Sequence, residues 1–154
     1  MKSNKVALIA ILLWAITIGL FAWFMVRGNT VAGSDNRTAV VLSGAERGLI
    51  LSEMRGLLEA VHHILDGLNR QDMQQVAAAA RKAGMGSAAD VNPALMTKLP
   101  LPFKQLGMDV HHDMDDLAKA AENGQSVVAL QGMLTQTLSK CTGCHSAWQL
   151  KAEN

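Results

Sequence analysis

The sequence predicts an all-α protein, an up-down-up-down four-helix bundle preceded by one N-terminal transmembrane helix. Three observations carry this. Residues Val6 to Val26 form an uninterrupted run without charge. Beyond it, apolar residues recur at spacings of three and four, and no stretch alternates with period two. Pro occurs only at 93, 100 and 102, so the remaining segments are free of the residue that breaks helices.

The N-terminal run, at about 1.5 Å of rise per residue, spans a hydrocarbon core of roughly 30 Å. Lys2 and Lys5 precede it and only Arg27 follows closely. Positive charge is retained on the cytoplasmic side, so the expected topology is a single pass through a bacterial inner membrane with the C-terminal part in the periplasm. A cleaved secretory signal is the other reading. The apolar run exceeds the usual roughly 7–15 residues of such signals, and only Thr30-Val31-Ala32 offers a weak cleavage site. The organisation expected is therefore 1–27 as anchor with a short cytoplasmic start, 28–42 as a polar, Gly-containing periplasmic linker, and 43–154 as a helical domain.

The first bundle helix opens at Ser43 with Glu46, a capping box. Leu51, Met54, Leu58, Val61, Leu65 and Leu68 then form one apolar stripe, ending near Gly67 to Asn69. Asp72 caps the second helix, with Val76, Ala77, Ala80 and Ala83 inward, before Gly84 and Gly86 stop it. Met85 to Leu101 is a long connection. Pro102 suits the first turn of the third helix, whose apolar positions include Phe103, Leu106, Val110, Met114, Leu117 and Ala121. Asn123-Gly124 ends it. Ser126 caps the fourth, with Val127, Leu130, Met133, Leu134, Thr137, Leu138, Cys141 and Cys144 inward. Two short connections and one longer one suit antiparallel neighbours.

The overall charge is +1, but Lys2, Lys5 and Arg27 belong to the anchor. The remainder holds eleven basic and thirteen acidic side chains. No basic stripe exists to release counterions, which excludes a nucleic-acid partner.

Chemistry concentrates in Cys141-Thr142-Gly143-Cys144-His145, which contains both cysteines of the chain. This is the C-x-x-C-H pattern of c-type haem attachment. Each thiol can add to a haem vinyl group while the adjacent imidazole binds the iron. A zinc half-site would want two further ligands, and no second Cys/His pair with finger spacing is present. A redox dithiol would open a helix after a strand, and no βαβ pattern surrounds this one.

With this motif near the end of the last helix, residues 43–150 resemble the cytochrome c-prime family. The resemblance rests on the motif, on helix order and on Arg47 four residues before Leu51. It implies one haem c, covalently held by Cys141 and Cys144, with His145 as an axial ligand. It also implies two functional branches. Low-spin members place a Met of the first bundle helix on the iron and transfer electrons. High-spin members keep an apolar residue there and bind small gases such as NO and CO. Gln149 departs from the family pattern, standing where many members carry a basic residue.

Antiparallel packing sets the start of the first bundle helix beside the end of the last. Leu51 and Met54 are therefore the candidates over the iron, although a Met on a helical stripe is also ordinary core filling. Registration from Arg47 and Gly67 favours Leu51; registration to related b-type bundles favours Met54. Arg47 and Arg55 are candidate propionate partners, and Phe103 completes the expected distal pocket. His62 lies eleven residues beyond Leu51, about 16 Å further along the axis, and His111 and His112 are similarly distant. They read as surface or half-buried residues, with Asp115 and Asp116 at i,i+4 as partners. The expected protein is a membrane-tethered monohaem cytochrome with His145 and Met54 on the iron. It is not an enzyme and passes single electrons to partner redox proteins, with homodimerisation possible. The alternative is a five-coordinate gas-binding protein with Leu51 as lid.

Overall fold

The computed structural model describes residues 2–88 and 92–153; residues 89–91, within the expected long connection, lie outside it. Helix α1 runs Lys2–Arg27. Within its stretch Asn4–Arg27 an 18-residue window reaches a mean hydropathy of 2.5 with none of that window buried inside the molecule, so the helix is long and apolar enough to cross a membrane.

The segment expected as a linker folds. β1 (Thr30–Ala32) and β2 (Thr38–Leu42) pair antiparallel, and β2 pairs in parallel with β3 (Trp148–Ala152) at the other end of the chain. The chain is therefore not the expected all-α bundle but a mostly helical α/β fold with a three-stranded mixed sheet in the order β1-β2-β3. These strands are short, and the central one is held by β3 from the far end of the chain, so no local alternation announces them. Ala39, Val40 and Leu42 of the central strand are buried, and the N–H of Glu153 donates to the Leu42 carbonyl at 2.8 Å beyond the last pair. β3 follows directly on the last helix, so the sheet fixes the end of that helix in place.

The helical layer consists of α2 (Gly44–Arg70), α3 (Met73–Lys82), α4 (Pro93–Lys98), α5 (Leu101–Glu122) and α6 (Val127–Ala147), with a 3₁₀ turn at Met85–Ala88. The caps read from sequence form. Ser43 Oγ accepts from the N–H of Glu46, and Glu46 Oε2 accepts from the N–H of Ser43 at 2.8 Å. Asp72 and Ser126 accept from Gln75 and Ala129. Such caps contribute about 1 kcal/mol each.

The bundle is complete over only half its length. α3 has 10 residues against 27 in α2 and 22 in α5, hence roughly 15 Å against 40 and 33 Å. It stops before Gly84, where the Asp115 carboxylate occupies the space a Cβ would need. In the half covered by α3, Ile64, Leu68, Val76, Ala80, Met114, Leu117 and Leu130 make a closed core. In the other half α4 and the sheet replace the missing helix, and Val40, Leu42, Ile50, Leu95, Leu99 and Phe103 make a second core. Phe103 meets Trp148 edge-on, with ring centroids 6.0 Å apart.

α1 joins this second half directly. Gly28 has φ +63°, and a Cβ there would lie 2.5 Å from the Lys98 carbonyl oxygen and the Pro100 nitrogen. Only glycine meets both demands. The N–H of Asn29 donates to the Lys98 carbonyl at 2.7 Å.

Candidate functional site

Where the bundle lacks its fourth helix, a cleft of about 590 Å³ opens between α2, α4, α5 and α6. That is within the roughly 300–1,000 Å³ of small-molecule sites. Ile50, Met54 and Leu57 face it from α2, Leu95 and Met96 from α4, Phe103, Met108, Val110 and His111 from α5, and Cys141, Cys144 and His145 from α6. The lining draws on both cores, so each wall is held by packing on its far side.

Of the residues singled out from sequence, the fold brings Met54, Phe103, Cys141, Cys144 and His145 to this one cleft. Leu51, Arg47 and Arg55 are not on its wall. Arg47 Nε instead donates to the Leu150 carbonyl of β3 at 3.5 Å, and Arg55 is exposed. His145 is exposed at the rim, and its backbone carbonyl accepts from Arg37 Nη1 at 3.2 Å. Arg37 is oriented in turn by Asp35, 2.6 Å away. Thus the strand segment expected as a tether clamps the end of α6.

Cys141 and Cys144 are free thiols, both half-buried on one face of α6. Burial pushes both thiols above their ordinary value; nearby Asp113 adds to the rise at Cys141, and Cys141 adds to that at Cys144. At neutral pH they are protonated, apolar and weakly nucleophilic, unlike the activated thiol of a disulfide exchanger.

The polar wall holds a group the sequence reading misplaced. His111, expected at the surface with Asp115 as partner, is 4 % exposed. Nε2 lies 2.9 Å from Glu53 Oε1 of α2, and Nδ1 lies 2.8 Å from the Ala83 carbonyl and 3.3 Å from Ser87 Oγ. Ser87 donates its own hydrogen to the Gly84 carbonyl, so all three neighbours present lone pairs to the ring. Only the imidazolium, with a hydrogen on both nitrogens, satisfies them. The Glu53 bond, opposed by burial and aided by the Ala83 bond, accordingly raises the His111 pKa above its ordinary 6.5. Asp115 is occupied elsewhere, accepting from the N–H of Met85 at 3.0 Å. A signal existed in the sequence: His111 is three residues before Met114, inside the apolar arc of its helix.

Three lysines on the wall also went unread; Lys82, at the end of α3, is exposed. Lys140 pairs with Asp113 at 2.7 Å. Lys104, half-buried, donates to the carbonyls of Met25 and Met96 at 3.0 and 3.2 Å.

The architecture does not support the expected covalent haem c. Among the described residues no group of three or more His, Cys, Asp or Glu side chains converges to hold a metal ion. Phe103 is the one Phe or Trp on the cleft wall, and the sheet does not belong to the bundle on which that expectation stood. The cytochrome c-prime resemblance, the electron-transfer reading and its gas-binding alternative fall with the scaffold. The spacing C-x-x-C-H is a local pattern that any helix can present; the surrounding architecture had been supplied by the resemblance. No protein-family model matches the chain, and no match is found among curated proteins or solved structures.

Proposed function

We propose that this chain is a membrane-tethered binding protein, not an enzyme, whose cleft takes an apolar small molecule. One observation carries the reading: a cleft of about 590 Å³ lined by three methionines, aliphatic side chains and two protonated thiols, with the Glu53–His111 pair on one wall. Methionine is flexible and polarisable, so such a wall adapts to the shape of its ligand. The pair, Ser87, Asn92 and the lysines of the wall supply the polar groups that orient one. α1 anchors the domain, and the lysines at its start favour the periplasmic side for the cleft.

Photolabelling tests this with benzophenone, an apolar probe that needs no reactive residue. Irradiated with the full chain in detergent micelles, it is expected to label peptides spanning Ile50–Leu57 and Met96–Phe103. Met54→Trp, which fills the cleft, should suppress that labelling. Labels confined to α1, or unchanged by Met54→Trp, would refute the binding reading.

A further inference from the structure

The cleft and the anchor share a wall. Met25 stands in the last turn of α1, and its carbonyl accepts from Lys104 Nζ at 3.0 Å. The same ammonium holds the Met96 carbonyl at 3.2 Å, and both Lys104 and Met96 line the cleft. Gly28 and Asn29, immediately beyond α1, pack on Lys98 and Pro100. This junction has no slack. When α1 spans a bilayer, its end lies at the polar boundary, and the Lys104–Met96–Leu99 wall is fixed there with it.

Lys104 is suited to a negative head group at that boundary. An ammonium has three N–H donors. Two are taken by carbonyls, and among the described residues no carboxylate pairs with it. Its remaining donor and its full charge are available beside the apolar lining of Met96, Leu99 and Phe103. An anionic head with one apolar chain matches this arrangement.

We infer that the cleft is filled from the bilayer. A single-chain anionic amphiphile lays its chain along Met96, Leu99, Phe103 and Met54 and keeps its head on Lys104 at the membrane surface. The inference rests on the binding reading above and names the ligand class and its source.

The test uses the full chain reconstituted into vesicles of phosphatidylethanolamine and phosphatidylglycerol doped with a diazirine-bearing palmitic acid. Irradiation should label peptides of the Met96–Phe103 and Ile50–Leu57 walls. Lys104→Gln should lower cleft labelling roughly tenfold, the size of one charge-assisted hydrogen bond, and Lys104→Arg should restore most of it. A diazirine hydrocarbon of the same chain length should be insensitive to Lys104→Gln, which separates head recognition from loss of the junction. Should benzophenone reach the cleft while the vesicle-borne acid does not, the bilayer source is wrong and the binding reading stands. Should neither label the cleft, both fall. Equal labelling of wild type and Lys104→Gln by the acid would overturn the role of Lys104 and with it the anionic head.

Discussion

Replacing Glu53 with Gln tests whether the charged His111 clamp is real. Gln keeps an oxygen facing Nε2 but removes the charge. A hydrogen bond to a charged group contributes roughly 1.5–3 kcal/mol and a neutral one about 0.5–1.5 kcal/mol. The Glu53 side chain is 34 % exposed against 5 % for His111, so solvent screens part of the difference, leaving about 1 kcal/mol. A domain of this size moves roughly 4 °C in Tm per kcal/mol. The pH sign follows from the raised pKa of His111. A folded value above the unfolded 6.5 means the stabilisation is fully present below pH 6.5 and lost as pH rises through the folded value. Thermal unfolding of the full chain in micelles, followed by circular dichroism from pH 5.5 to 9, should therefore show Glu53→Gln about 4 °C below wild type at the acid end. The gap should close on the alkaline side. A gap that stays constant with pH, or opens only above pH 7, would show that His111 is neutral in the folded state.

Two further outcomes follow from the same structure. Glu46 joins the α2 capping box to Lys98 of α4; the Lys98 bond, then the Ser43 N–H, lower its pKa from 4.5 to about 2. Its contribution is present above pH 4.5 and lost as pH falls toward 2, so the Tm difference between wild type and Glu46→Gln should vanish in that window and be constant above it. Iodoacetamide should modify Cys141 and Cys144 more slowly at pH 7 than a free cysteine, accelerating only at alkaline pH; rapid alkylation at pH 7 would show the thiols are not held protonated.

Local signals in the sequence reached the caps, the long apolar N-terminal helix and the stripes of α3 and α5, but the expected α2 stripe is rotated: Leu58 and Leu65 are exposed, and Ile50, Ala60 and Ile64 are buried instead. Ser43 with Glu46, Asp72 and Ser126 stand where their oxygens accept the first free N–H groups, because capping depends only on residues three apart. The apolar run of α1 needs no partner to be recognised. What escaped depends on contacts between distant residues. β2 is held by β3 from the far end of the chain. His111 was assigned Asp115 by helical spacing, yet its partner is Glu53, 58 positions away. Lys104 acquires meaning only because Met25 lies 79 positions before it and beside it in space. The candidate site was legible in part, since Met54, Phe103 and the two cysteines do share one cleft. Its surroundings were not, because the early end of α3 and the sheet that compensates for it are tertiary features.

The most direct test of the central claim is mass spectrometry of the full chain purified from membranes, read first under native conditions in micelles and then after denaturation. The binding reading predicts a native mass carrying an apolar molecule that denaturation releases, leaving the bare chain with both thiols free. A mass still bound through Cys141 and Cys144 after denaturation would contradict it and return the C-x-x-C-H motif to covalent cofactor attachment.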